Sequence, residues 1–319
     1  GTVEEINTLR LNLSKDGIYP ADLEVNEGLS QVRKLIYPYA LVQYGNRKVP
    51  VNLLQSITKG GTKDQAFNKS EQLIEYKLIT AISKLFKKTE PIVVFTTGHG
   101  ELSEIQTAKL EDELSHTMIT GRIKLDSIFQ LSQEADILIV AKPTKPMSTR
   151  NKFIIDQYIM NGGKVIWLID QFNVNLDSIN RNGVYLPDPI DHNLGDMFFK
   201  YGVRMNQNIV LDLECSKIPQ VIGMQGGRPQ TQLFNWPYHP LLQANSDNPI
   251  VRNIDRVSST FPASIEALET PLNIVQTPLL TSSEFSRFQF SPVRLSFDIL
   301  RIEPKASVYN KSYLPVAML

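Results

Sequence analysis

The sequence predicts an α/β protein built on a doubly wound, mostly parallel sheet, with a small α+β unit before it and a strand- and loop-rich part after it. Three observations carry this. Pro91–Glu101 reads PIVVFTTGHGE: a β-branched apolar run, suited to a strand covered on both faces, stops at a glycine turn and is followed by a helix-compatible segment, Ser103 to Leu114. Two further apolar runs, Asp136–Ala141 and Lys164–Asp170, are separated by a helical pattern, and strands alternating with helices argue for parallel βα units. Residues 1–60 and the chain from about residue 223 do not follow this alternation.

The first element is a helix over residues 2–15, with Ile6, Leu9 and Leu13 at helical spacing and Glu4 and Glu5 in the first turn, where acids suit the helix dipole. Asp16-Gly17 ends it. Ala21 to Val25 reads as a short strand, and Leu35 to Tyr44 and Lys48 to Leu54 flank the hairpin signal Gly45-Asn46. Pro38 marks the first of these strands as an edge or a late start. A polar glycine loop, Ile57 to Asp64, is the expected boundary, giving a unit of residues 1–60 and a core of 61–319. The next helix is expected to be capped by Asn68, with Glu71 at capping-box spacing and an apolar stripe of Ile74, Leu78, Ala81, Ile82 and Leu85. Lys84, Lys87 and Lys88 suit its last turn.

After the glycine turn come a strand at Met118–Leu125, the strand Asp136–Ala141, and a helix capped by Ser148 that buries Ile154, Ile155, Tyr158 and Ile159 and stops at Asn161-Gly162-Gly163. The apolar strand Lys164–Asp170 follows. A helix opened by Asp191 or Asn193 turns Leu194, Met197, Phe198 and Tyr201 inward and stops at Gly202. Asn208–Leu213 is a further strand. Beyond residue 223, glycine, proline and aromatic residues dominate, and Ser258–Leu268 and Leu272–Leu280 read as strands.

The chain has 319 residues, 42% apolar and 21% charged, enough to bury a sizeable core and too apolar for a disordered chain. Lys+Arg and Asp+Glu number 33 each, so the net charge gives no support for nucleic-acid binding. The single cysteine, Cys215, excludes an internal disulfide. No apolar run approaches the roughly 20 residues of a membrane span. Gly1 looks like a cloning scar, and both ends look cut, so the expectation is a soluble piece of a larger protein whose other parts include membrane anchors.

In open α/β sheets, ligands gather at the carboxyl ends of the strands. This places Thr97, Gly98, His99, Gly100 and Glu101 at the candidate edge, with Asp170 and Gln171 expected to converge on it as ligand-binding residues. His99 as general base with Glu101 as its partner is one reading. A tight βα turn with local hydrogen bonds is the other, since no nucleophile is in view and no G-x-S-x-G elbow, G-x-G-x-x-G or Walker A loop occurs. Cys215 follows Asp212-Leu213-Glu214, whose charges would raise its pKa, so it reads as structural. The four histidines, His99, His116, His192 and His239, lack metal-ligand spacing. Asp188, Asp191, His192 and Asp196 form a polar cluster that suits either a cation or a solvated loop with a helix cap. Phe234, Trp236 and Tyr238 are a candidate interaction surface, with packing of a proline-rich loop against the core as the alternative.

The chain resembles the GldG gliding-motility family, auxiliary extracytoplasmic proteins of ABC-type transport systems in Bacteroidetes. The resemblance is carried by Ile36–Leu54 (IYPYALVQYGNRKVPVNLL), the helix leading into Gly98-His99-Gly100-Glu101, Tyr158–Asp170 (YIMNGGKVIWLID), Leu194–Asp212, and Thr277–Ser282 (TPLLTS), in family order. It implies a core related to class I glutamine amidotransferases and shared with intraflagellar transport proteins, a partial thioredoxin-like unit at the front, and a membrane-anchored parent with transmembrane segments on either side. The implied partners are a membrane permease subunit and, through it, a cytoplasmic ATPase. The implied location is the periplasmic side of an inner membrane. The strands Ile92–Phe95, Ile137–Val140 and Val165–Ile169 carry no cysteine on an elbow at their ends, unlike an active amidotransferase. The expectation is therefore a non-enzymatic interaction domain with no catalytic residues, no cofactor and no metal. Its alternatives are a sugar- or peptide-binding module and a hydrolase at Gly98–Glu101.

Overall fold

The run Ile92–Thr97 is a strand at the centre of a four-stranded sheet in the computed structural model, which describes residues 3–27, 30–55, 63–86, 89–176, 178, 179, 183–225, 227–252, 254–270, 274–305 and 307–319. The chain forms two compact units, one of residues 1–91 with 113–119, the other of 92–112 with 120–319.

The first unit opens with helix α1 (Val3–Lys15), followed by strands β1 (Ala21–Glu27) and β2 (Ser30–Ile36), paired antiparallel. Strands β3 (Tyr39–Tyr44) and β4 (Arg47–Asn52) form the hairpin expected around Gly45, which takes a left-handed φ of 57°. Pro38 lies between β2 and β3, so the expected strand Leu35–Tyr44 is broken there, as a proline without an N–H requires. Helix α2 (Lys63–Phe86) belongs to this unit rather than to the core, so the expected boundary near residue 60 moves to Pro91. The reason is packing against the hairpin. Arg47 donates to the carbonyls of Leu85 and Lys84 at 3.0 and 3.3 Å, Lys77 to that of Asn52 at 2.7 Å, and the Gln55 N–H to Ser70 Oγ at 2.8 Å. Asn68 lies inside α2 and caps nothing, because the helix includes residues from Lys63 onward. Of the expected stripe, Ala81 and Leu85 are buried while Ile74 and Ile82 are exposed. Lys87, Lys88 and most of the Ile57–Asp64 loop lie outside the described residues.

The second unit holds the sheet. Its order is β6-β5-β7-β8, from β5 (Ile92–Thr97), β6 (Ile119–Lys124), β7 (Ile137–Ala141) and β8 (Lys164–Leu168). Strands β5, β7 and β8 run parallel, with Val94 opposite Leu138 and Leu138 opposite Val165. Helix α3 (Glu104–Ser115) connects β5 to β6. Helix α4 (Thr149–Met160) connects β7 to β8 and is capped by Ser148, whose hydroxyl accepts the Asn151 N–H at 3.2 Å. Ile154, Ile155 and Tyr158 of α4 join Leu138 and Val140 in one buried cluster with Val165 and Trp167 packed against it; Leu194 and Met197, around helix α5 (Gly195–Lys200), complete it. The strand expected to be fully covered at Lys164–Asp170 is instead an edge strand. Val165 and Trp167 point to the cluster while Ile166 and Leu168 are exposed.

Short strands β9 (Val184–Tyr185) and β10 (Val203–Met205) lead into β11 (Asn208–Asp212), buried at every position. Then come two long strands, β12 (Cys215–Gln225) and β13 (Arg228–Ala244), followed by β14 (Val257–Ser258), β15 (Ile265–Ala267), β16 (Pro278–Thr281), β17 (Ser286–Phe290), β18 (Leu295–Ser296) and β19 (Pro315–Met318). A sheet of order β12-β13-β16-β19, with β14 beside β13, and the antiparallel pair β11-β17 flank a second buried cluster that contains Trp236, Tyr238, Ile209, Leu211 and Leu295. The expected strand at Ser258–Leu268 is confined to β14 and β15, and residues 272 and 273 of the expected Leu272–Leu280 strand lie outside the described residues.

Candidate functional site

Strand β5 delivers Thr97 to the carboxyl edge of the sheet, and the turn after it depends on two glycines. Gly98 and Gly100 take left-handed φ values of 115° and 76°, which only glycine adopts at no steric cost. A Cβ on Gly100 would also collide with the Thr144 hydroxyl from the loop after β7. That loop is laced to the turn: Thr144 and Lys145 N–H groups both donate to the His99 carbonyl at 2.9 Å, and Thr144 Oγ1 donates to the Gly100 carbonyl at 3.2 Å.

This bracing buries His99, which is 5% exposed. Its main-chain N–H donates to Glu101 Oε2 at 2.6 Å, and its Nδ1 faces Glu101 Oε1 at 3.4 Å. On the other side, Asn151 Nδ2 lies 3.0 Å from His99 Nε2 and 2.7 Å from Asp126 Oδ1. An amide nitrogen can only donate, so Nε2 accepts and the ring hydrogen sits on Nδ1, toward Glu101. The result is a row of four side chains, Glu101, His99, Asn151 and Asp126, ending at the surface on Asp126, with no hydrogen bond between His99 Nδ1 and Glu101 Oε1. The Asn151 amide is the main cause holding the Asp126 carboxyl below its ordinary range, with the nearby Lys124 and Arg150 adding to it.

The arrangement fixes a turn; it does not expose a base. A general base must reach a substrate proton, and both His99 nitrogens face protein groups. The hydroxyls of this edge are engaged with the backbone, Thr97 with the Ile123 carbonyl at 3.1 Å and Thr144 as above.

Asp170 and Gln171, expected to converge on His99, have other partners. Asp170 forms an ion pair with Lys142 at 2.8 Å, at the end of β7, where Lys142 takes a strained φ of 53°. The Gln171 carbonyl accepts the Ile190 N–H at 2.9 Å, and Gln171 lines a cleft of about 410 Å³ together with His192, Phe198 and Arg204. His192 donates from Nδ1 to the Ile190 carbonyl at 3.0 Å, and burial keeps its pKa below the ordinary value. Of the polar cluster around it, Asp191 accepts the Asn193 N–H at 2.9 Å, and Asp196 pairs with Lys152 at 2.8 Å. Among the described residues no three His, Cys, Asp or Glu side chains gather to hold a metal.

The candidate interaction surface is corrected by burial. Trp236 is 0% and Tyr238 3% exposed, both inside the second cluster, because alternate residues of β13 turn inward. The Tyr238 hydroxyl donates to Gln289 Oε1 at 2.7 Å. Phe234, on the same face, is half-buried and lines a second cavity. Cys215 is structural in its chemistry: burial first, then the charge of Asp212, pushes its thiol up to about 11. The sequence reading missed Asn151, Asp126 and Thr144. The only local signal was the Ser148 cap, which sets Asn151 in the first turn of α4.

Residues 90–319 match the family model described as ABC-type uncharacterized transport system. The chain belongs to this family. Membership makes it an auxiliary component of an ABC-type transport system. An uncharacterized protein of Borreliella burgdorferi is 23% identical over 227 residues, which is 67% of this chain and 41% of that protein. A solved structure titled mmIFT52 N-terminal domain aligns over 61% of this chain and 74% of that one, at 14% identity and a TM-score of 0.41. Among the described residues, no helix of this family member is long and apolar enough to cross a membrane.

Proposed function

We propose that the chain is a non-enzymatic, extracytoplasmic domain of a membrane-anchored auxiliary protein, of the GldG kind, that works by binding the permease of an ABC transporter and through it the ATPase. The amidotransferase-like reading of the sheet, with its chemistry lost, goes with this. Family membership supports the transport part. The observation that carries the non-enzymatic part is the enclosure of His99: its two ring nitrogens face Glu101 and Asn151, and among the described residues no nucleophile joins them. A role in gliding is the narrowest form of the proposal and rests on the sequence resemblance alone.

A second reading, a sugar- or peptide-binding module of the same system, is favoured by the cleft at Gln171, whose mixed lining of Phe198, His192 and Arg204 suits a small polar ligand. The test is affinity capture from native membranes with the purified chain as bait. Co-recovery of a permease and its ATPase is the expected result. Steady hydrolysis of amide, ester or glutamine substrates that disappears in His99→Ala would overturn the non-enzymatic reading. A blank capture with a small molecule released on denaturing the bait selects the second reading.

A further inference from the structure

A second cavity lies away from the parallel sheet and is independent of the docking reading. It measures about 810 Å³ and is lined by β12, β13, β17, the 3-10 turn Phe297–Arg301, residues 302–305, Val308 and Tyr309. That volume falls within the range of small-molecule sites. Leu233, Phe234, Leu300 and Val308 supply apolar walls.

The polar part of the lining is one-sided. Lys217, Arg287 and Lys305 contribute three cations, and Glu303 the one acid among the described lining residues. Arg287 is the half-buried member, held by the Tyr309 ring, with its guanidinium carbon 5.2 Å from the ring centroid. Its Nε is buried without a hydrogen-bond partner. Among the described residues no carboxylate pairs with Arg287, although a partly buried guanidinium without an anion is costly. Asp212 is near enough to act on Cys215 and Tyr309, but its carboxylate is taken up by the Ser283 N–H and hydroxyl. Burial pushes both the Cys215 thiol and the Tyr309 hydroxyl up, so both stay protonated.

We propose that this cavity binds a medium-chain fatty-acid carboxylate, its aliphatic chain against Leu233, Phe234, Leu300 and Val308 and its head group on Arg287. A carboxylate answers the planar donors of a guanidinium in a two-point contact that a neutral head cannot make. Lys217 and Lys305 add long-range attraction at the mouth.

Calorimetric titration of the purified chain with decanoate, and with decanol as the uncharged control, tests this. The expected result is one saturable site per chain, with decanoate bound at least about tenfold more tightly than decanol, the size of a charge-assisted contact. Arg287→Gln should weaken decanoate by about tenfold or more and leave decanol within about threefold. Val308→Trp, at an exposed position, should weaken both by filling the cavity. Absence of saturable decanoate binding overturns the proposal. So does binding that survives both substitutions unchanged, or an Arg287→Gln loss equal for acid and alcohol.

Discussion

Asn151 is the residue on which the carboxyl edge of the sheet turns. It is fully buried, and its amide serves a histidine on one side and a carboxylate on the other. Deleting one partner of a buried polar pair leaves the others unsatisfied, which costs more than the bond was worth. Asn151→Ala should therefore lower stability by about 2–3 kcal/mol, read as a fall in the urea midpoint at unchanged slope. A loss below about 0.5 kcal/mol would mean that water or a rearranged Asp126 replaces the amide. His99→Ala removes the ring but keeps the main-chain N–H bond to Glu101, so the turn itself should persist. The glycines of this turn and the Ser148 cap were legible in the sequence because each reports a local backbone requirement. Asn151 and Asp126 were not legible, because their roles come from residues 25 to 52 positions away, and no local spacing encodes such a meeting.

At the scale of elements, the helix α2 shows which part of an apolar pattern is informative. Its sequence offers Ile74, Leu78, Ala81, Ile82 and Leu85 as one stripe, yet Leu85 is 4% and Ile82 44% exposed. The helix packs on a narrow hairpin, so only part of a wide stripe finds cover. Leu85→Ala should cost about 2–4 kcal/mol through lost burial and the cavity left behind, whereas Ile82→Ala should cost under about 1 kcal/mol. Thermal melts followed by far-ultraviolet circular dichroism compare the two; equal losses would mean that Ile82 is covered in solution. The same limit applies to β8. A run such as KVIWLID has the composition of a central strand, and its position at the sheet edge depends on the absence of a further neighbour, which its own residues do not specify. In β13 the sequence carried the answer in its alternation: Phe234, Trp236 and Tyr238 share one face at period two, and the inward face of a long strand takes the largest side chains.

At the scale of the molecule, the balanced formal charge hides an asymmetry in protonation. His192 and His239 are both buried in the second unit, and burial lowers the pKa of each below its ordinary value. His239 packs edge-on against Phe261, ring centroids 5.0 Å apart, with its Nε2 unpartnered. A histidine with a lowered folded-state pKa binds fewer protons folded than unfolded. Its contribution to stability is therefore complete above the unfolded value of about 6.5 and is lost as pH falls toward the folded one. The second unit should lose stability steadily as pH falls below about 6.5. Both tryptophans, Trp167 and Trp236, lie in this unit, so urea unfolding followed by tryptophan fluorescence reads it directly. His239→Gln removes one of the two titrating groups, and its midpoint should depend less steeply on pH than that of the native chain between pH 7 and 5, even if its absolute stability is lower. Parallel slopes for the two proteins would show that His239 is protonated at no cost in the folded state, and the burial of its ring among Trp236 and Phe261 would then need to open in solution.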